Sequence, residues 1–381
     1  MIVPISEPYI NGNELKEIKK IIKRNEISSY GKIIEKFEKK LQQITKIKHI
    51  VSCSSGTAAL HTALKVVGVE KNDEVLVPTI TFIATINSLK YLGANPVFFG
   101  CDKFFNIDSE KVIEFIKKHT YFKKGITYNS KTKKKISAII PVHVWGNAAN
   151  IKKLCLVCKK RGIKVVEDST EALGTRYKGK KKHSVGSIGD IGCFSFNGNK
   201  IITTGNGGAI VTNNKNYASK ARYYLSQATD DKQKFIHKDI GYNYRFSGLN
   251  AAFGLGQLNL LKFYVKKKKE INKNYIEFFK NSKSFSILQS PEYSSNNNWM
   301  NILQFNPKII NLVIKIFKKR NIQIKNIWLP NHKQLPYLNN QKFKINNLDK
   351  FYKGSICLPS SVNLDYKKIK KISKMILKYE K

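Results

Sequence analysis

Short apolar runs alternate with helical patterns from His49 to Glu167, and this alternation restricts the fold more than any other feature of the chain. His49 to Cys53, Glu74 to Val77, Pro96 to Phe99, Ile136 to Val142 and Lys164 to Glu167 read as strands. Between them, a stretch starting near Thr57 places Leu60, Ala63, Leu64 and Val67 on one helical face. Thr81 to Leu92, Ser109 to Lys118 and Asn150 to Arg161 read as further helices. Strands separated by helices of this length pair in parallel, with helices on both faces. The chain is therefore α/β. Ligands of such sheets sit at the carboxyl ends of the strands. Those ends carry Cys53 to Thr57, Pro78 to Phe82, His143 to Gly146 and Asp168.

A second apolar run, Ile191 to Phe196, ends in Asn197-Gly198-Asn199-Lys200 and a glycine-rich turn, Gly205 to Gly208. Ala209 to Val211 then reads as a returning strand. A lysine between two buried strands loses solvation, and a desolvated amine sheds its proton. The neutral amine is a nucleophile that forms a Schiff base with a carbonyl. The bland alternative is a surface lysine in a hairpin. Ser55-Gly56-Thr57, between a strand and a helix, is either a plain helix cap or an anion site, because free N–H groups and the helix dipole favour a phosphate there. Asp168 is either a cap or the partner of a buried cation. Phe82 alone reads as a core aromatic.

Before this sheet, Leu15, Ile18, Ile21 and Ile22 share one helical face, Ile27 to Gly31 breaks the pattern, and Ile33, Ile34, Phe37 and Leu41 resume it. After it, Tyr217 to Leu225 is helical, and His237 to Arg245 is too polar and too aromatic for a simple linker. Leu249 to Phe279 is helix-rich. Strands at Ile302 to Phe305 and Ile322 to Ile324 and helices at Ile309 to Lys319 and Tyr366 to Tyr379 follow. Residues 1–248 thus read as a large domain with an N-terminal arm, and 249–381 as a smaller α+β domain. Ser290 to Asn298 reads as disordered.

The formal net charge is +43. A polyanion partner is one explanation. However, the lysines occur in short runs throughout (Lys133 to Lys135, Lys180 to Lys182, Lys266 to Lys269) rather than on one stripe, and no nucleic-acid motif accompanies them. Specific nucleic-acid binding is not expected. Cys155 and Cys158 form a C-x-x-C inside a helical pattern, with no second pair at zinc spacing, so buried, reduced thiols are expected and no metal. No run reaches the roughly 18 apolar residues of a membrane span. No leader is read at Met1 to Pro4, and the cytoplasm is the expected compartment.

A phosphate-binding helix start, an aromatic, an aspartate and a buried lysine, in this order, resemble the pyridoxal-phosphate enzymes of the aspartate-aminotransferase fold. Within them the chain resembles the DegT family of sugar aminotransferases. The matching stretches are Ser55 to Leu60, Glu167-Asp168-Ser169-Thr170-Glu171-Ala172-Leu173-Gly174, Ser195 to Lys200 with Gly205 to Gly208, Gly241 to Arg245 and Leu358 to Ser361. Asn206 stands where the family usually has Glu or Gly, and Ser247-Gly248 replaces a commoner Thr-Asn or Pro-Asn. The resemblance implies that Lys200 anchors pyridoxal 5'-phosphate and carries protons, and that Asp168 pairs with the pyridine nitrogen. It also implies that Phe82 stacks on the ring, that Ser55, Gly56, Thr57 and Ser195 hold the phosphate, and that Glu171 lies near ring and sugar. His143 would also touch the cofactor. Asn243 would reach the cofactor phosphate of a neighbouring subunit, making the active unit a homodimer. His237, Lys238, Arg245 and His332 would meet a nucleotide-sugar substrate.

The branch that the Glu167 to Gly174 and Ser195 to Gly205 stretches resemble aminates UDP-N-acetyl-4-keto-6-deoxyhexoses, precursors of bacillosamine-type and legionaminic acid sugars; the GDP-perosamine synthases are near neighbours. L-Glutamate would be the amino donor. A dehydratase of this fold would carry histidine in place of Lys200. A catalytically silent polyanion binder would have no use for Lys200, Asp168 and Ser195 together.

Overall fold

The computed structural model describes residues 2–179, 183–345 and 348–380; the Lys180 to Lys182 run lies outside the described residues. Among the described residues eight strands form the main sheet: β1 (His49–Cys53), β2 (Glu74–Pro78), β3 (Asn95–Phe99), β4 (Ile136–Ile139), β5 (Lys164–Asp168), β6 (Ile191–Ser195), β7 (Gly208–Thr212) and β8 (Lys342–Phe343). Their spatial order is β1-β7-β6-β5-β4-β2-β3-β8. All neighbours from β6 across to β8 pair in parallel. Strand β7 runs against both β1 and β6. The link from β6 to β7 is the Lys200 turn, which contains no helix. Parallel neighbours are usually joined through a helix, and this link has none; the chain comes back antiparallel.

Successive residues of each strand feed opposite cores, as the pleat requires. Leu76, Val165, Phe194 and Val211 face one cluster with helices Lys32–Thr45 and Ser109–Lys118. Val75, Val77, Val166, Cys193 and Ile210 face the other, with helix Gly56–Val66. The helices at Ser109–Lys118 and Gly56–Val66 lie where the apolar spacing puts them. Cys158 is buried on the helix Lys152–Lys160, and burial pushes its thiol up to about 12, which keeps it protonated. Among the described residues no helix is long and apolar enough to cross a membrane.

A four-stranded antiparallel sheet, in the order Phe285–Ile287, Asn301–Phe305, Ser355–Leu358 and Lys325–Asn326, supports a separate core. Leu249 to Phe279 is two helices, Gly248–Asn259 and Leu261–Phe279. The first packs Ala251, Ala252 and Leu258 into the core of the main sheet. The second begins in that core with Leu261 and Tyr264 and ends in the smaller one with Ile271, Tyr275 and Phe279. The chain thus changes core within one helix, beyond the division expected after residue 248.

Two local expectations are corrected. Ile322 makes only an isolated bridge to Val3, and the strand lies at Lys325–Asn326. Ser290 to Asn298 is ordered: Ser294–Ser295 pairs with Arg176–Tyr177, and Asn296 and Asn297 are buried. Its polar composition reads as disorder because its amides find buried backbone partners that only the tertiary fold supplies.

Gly248 opens its helix where the chain at Glu26 to Ser28 crosses. Its N–H donates to the Ser28 carbonyl at 2.6 Å, and a β-carbon there would collide with the Glu26 carbonyl oxygen. Gly248→Ala is expected to cost about 2 kcal/mol through overpacking against backbone. Urea unfolding measures this; an unchanged midpoint would mean that the Glu26 to Ser28 turn yields freely.

Candidate active site

The carboxyl ends of β5 and β6, the start of helix Gly56–Val66 and the Lys200 turn meet around a cavity of about 260 Å³. Residues 299–300, 325–328 and 357 close the other side; Trp299, Met300, Ile327 and Cys357 share an apolar cluster with Ile80, Val142 and Trp145. The structure brings Ser55, Gly56, Thr57, Phe82, Asp168, Glu171, Ser195 and Lys200 together on its wall.

Lys200 is held on two sides. Its Nζ lies 3.5 Å from Glu171 Oε1 and 4.2 Å from the ring centroid of Trp299. Its side chain is 12% exposed, largely buried yet open to the cavity rather than sealed between strands. Glu171 Oε2 accepts the Trp145 N–H at 2.8 Å. Burial pushes the Glu171 carboxyl up to about 7; the Lys200 ammonium and the Trp145 N–H oppose this, and the Asp168 charge adds to it. Trp299 is fixed by its indole N–H, which donates to the Asn199 carbonyl at 2.7 Å, and by its backbone N–H, which donates to Asn297 Oδ1 at 3.0 Å. Asn297 Nδ2 in turn donates to the carbonyls of Glu171 and Leu173.

Asp168 is buried at the end of β5. Its Oδ2 accepts from the Thr85 hydroxyl at 2.7 Å, and its Oδ1 accepts from the Thr170 N–H and hydroxyl at 3.1 and 2.7 Å. Across the cavity, Ser55 caps helix Gly56–Val66 by accepting the Ala58 N–H at 3.0 Å. The first N–H groups of a helix have no intrahelical acceptor and favour an anion. A β-carbon at Gly56 would stand 2.7 Å from Ser195 Cβ, so only glycine lets the serine come this close to the helix start. Phe82 is 53% exposed at the rim. An anion cradle, a buried carboxylate with fixed oxygens and an amine on one cavity wall fit pyridoxal phosphate: Ser55, Gly56, Thr57 and Ser195 match its phosphate, Asp168 its ring nitrogen and Lys200 its carbonyl carbon.

Other expected residues lie elsewhere. His143 is fully buried behind the wall. Its Nδ1 accepts the Ala149 N–H at 3.0 Å, so its Nε2 carries the proton and donates to Glu167 Oε2 at 3.0 Å. Both ring nitrogens are thereby used away from the cavity. His332 bonds Thr79 Oγ1 through Nδ1. Burial, with Lys342 and Lys333 nearby, holds it down at about 4, so it is neutral and offers no charge to an anion. His237 and Arg245 line a different groove, of about 690 Å³, with Tyr30 and Arg222; the Arg245 guanidinium lies 4.8 Å from the Tyr30 ring centroid. Asn243 is exposed and pairs with Ser226. Lys238 donates its N–H to Asp230 and lines neither space.

Tryptophan was the missed signal. The chain has three, and all of them line the cavity. Trp145 and Trp328 stack at 5.3 Å and 23°. Trp145 holds φ 52°, a conformation that costs a bulky residue free energy, and such strain collects at functional sites.

A model of the DegT/DnrJ/EryC1/StrS aminotransferase family matches residues 8–377. The chain belongs to this family. It is a pyridoxal-phosphate-dependent sugar aminotransferase. It is 36% identical over 269 residues to GDP-perosamine synthase of Escherichia coli O157:H7, covering 71% of this chain and 69% of that protein. It is 29% identical over 375 residues to UDP-4-amino-4,6-dideoxy-N-acetyl-beta-L-altrosamine transaminase of Campylobacter jejuni, covering 97% and 95%. Among solved structures, Helicobacter pylori PseC, an aminotransferase involved in the biosynthesis of pseudoaminic acid, superposes with a TM-score of 0.88 at 26% identity over 99% of both chains.

The Glu171 carboxyl rises from an ordinary 4.5 to about 7 in this family member's fold. The fold therefore disfavours its ionised form, and wild-type stability falls as pH rises through that window. Glu171→Gln removes this titration. Its melting temperature relative to wild type is expected to climb from about pH 5 to about pH 8. A difference that does not vary with pH would mean that the fold accepts the Glu171 charge at no cost.

Proposed function

We propose that this aminotransferase moves the amino group of L-glutamate to carbon 4 of a UDP-linked 2-acetamido-4-keto-6-deoxyhexose, a step towards bacillosamine-type or legionaminic acid sugars. The observation that carries the chemistry is Lys200 Nζ between Glu171 and Trp299, in a cavity with Asp168 at its base and the helix start of Gly56 at its rim. When bound, pyridoxal phosphate supplies a carbonyl that takes up an amine and a ring that accepts an electron pair. Lys200 would anchor it and then carry a proton between the substrate carbon and the cofactor carbon from one face, which fixes one stereoisomer. Asp168 would hold the proton on the ring nitrogen. Ser55, Gly56, Thr57 and Ser195 would hold the phosphate, and Phe82 would cover one ring face. Lys325, exposed on the far wall, is better placed for the substrate diphosphate than His332.

Asn243, His237 and Arg245 do not reach this cavity within one chain, so their roles require a second copy. The active unit we propose is a homodimer in which Asn243 serves the neighbouring site. Lys200→Ala and Asn243→Ala, each inactive alone, are expected to recover measurable turnover when mixed, because one of the two mixed sites then has both groups. No recovery despite proven subunit exchange would assign each site to a single chain.

Asp168→Asn keeps the side-chain volume but cannot hold a protonated ring nitrogen. Turnover is expected to fall by about a hundredfold or more, while the melting temperature changes little. Near-normal turnover would reduce Asp168 to a cap for Thr170.

A GDP-linked 4-keto-6-deoxyhexose is the second reading, favoured by the higher identity to GDP-perosamine synthase. The near full-length match to the UDP-sugar transaminase favours the first. The ratio of kcat/KM for the two acceptors, at equal glutamate, separates them. Each tenfold preference is about 1.4 kcal/mol of transition-state discrimination. No product with either acceptor would overturn both readings.

A further inference from the structure

Lys268 is 2% exposed on helix Leu261–Phe279, at the point where that helix passes from the main core to the smaller one. Among the described residues it has no carboxylate partner. Its Nζ donates to the Trp299 carbonyl oxygen at 3.1 Å and to the Ser360 carbonyl oxygen. Burial alone brings this amine down to about 7. A neutral amine has two N–H donors, and two buried carbonyls accept them; an ammonium would leave a third donor over. An apolar side chain here would leave both carbonyls without a partner, which explains a lysine in the interior.

Trp299 lines the far wall of the cavity, and Ser360 follows the strand Ser355–Leu358, whose Cys357 lines it too. Ser360 Oγ accepts from Asn301 N and Nδ2, two residues beyond Trp299, so Lys268 closes a ring of bonds around the Trp299 backbone. The Trp299 indole leaves that anchor, donates to the Asn199 carbonyl and lies over Lys200 Nζ.

We propose that Lys268 is a positioning residue that holds the Trp299 ring over Lys200 and so limits how freely the Lys200 amine reacts. This rests on Lys200 being the reactive amine, as proposed above. A cation over an indole face is stabilised in its protonated, non-nucleophilic form, and the ring also blocks one approach. Releasing Trp299 therefore exposes and activates Lys200.

The test uses cofactor-free full-length protein and needs no turnover. Wild type, Lys268→Met, Trp299→Leu and the double variant are treated with trace acetic anhydride at neutral pH. Acetylation of Lys200 is read by peptide mass against exposed Lys367. Lys200 is expected to react about fivefold faster in Lys268→Met and in Trp299→Leu, with no further gain in the double variant. Unchanged Lys200 acetylation in Lys268→Met, alongside a rise in Trp299→Leu, would reduce Lys268 to a structural tie. No rise in Trp299→Leu would overturn the proposed shielding itself. If Lys268→Met does not fold, Lys268→Gln keeps one donor group and is expected to give a smaller rise; wild-type acetylation there would overturn the proposal. Lost turnover with unchanged Lys200 acetylation would reject this role and leave the transaminase reading standing.

Discussion

Glu167 carries a fully buried carboxylate at the end of β5, and the site is assembled around it. Four donors converge on its two oxygens: His143 Nε2 and the Gly186 N–H on Oε2, and the Ile188 and Gly189 N–H groups on Oε1. A buried charge is tolerated only when it is bonded in this way. Satisfying it ties the loop after β4, the end of β5 and the loop before β6 to one point. Asp168, the next residue on the strand, then faces the opposite way, into the cavity. His143 belongs to this node, which is why it is absent from the cavity wall. The loop it anchors delivers Trp145, whose N–H in turn holds Glu171.

The cavity has two unlike walls. The sheet side offers an anion cradle, a carboxylate and the amine of Lys200. The opposite side, built on a separate apolar cluster that also holds Ile80, Val142 and Trp145, offers Trp299, Trp328, Met300 and Lys325. Glu171 and Trp299 hold Lys200 from these two sides, so the amine proposed to anchor the cofactor sits between the two walls. The helix Leu261–Phe279, which passes from the main core to the smaller one, carries Lys268 to the Trp299 carbonyl at the back of that wall.

Much of the sheet side was legible in the sequence, because its signals are local. Strand periodicity, the Ser55 cap and the position of Asp168 at a strand end each depend on a few neighbouring residues. The β6–β7 turn is also local: its glycine-rich run carries no helical pattern for a parallel crossover. The other wall was not legible. Trp299 meets Lys200 across 99 positions of sequence, and the Asn296 and Asn297 amides earn their order only from carbonyls on distant loops. The same polarity that suggested disorder over Ser290 to Asn298 satisfies those carbonyls. His332 shows the converse: its segment carries a motif-like pattern, but its bond to Thr79 comes only with the fold. His237, Arg245 and Asn243 gather on one face, but the span between that face and the Lys200 cavity is information a single chain's sequence does not carry.

The central claim is that, of the 69 lysines and arginines in this chain, Lys200 alone anchors the cofactor. Borohydride reduction of the pyridoxal-phosphate-loaded enzyme, followed by digestion and mass mapping, tests it directly. The account predicts a phosphopyridoxyl mass on the peptide containing Lys200 and on no other. The same mass on a different lysine, with Lys200 unmodified, would contradict it.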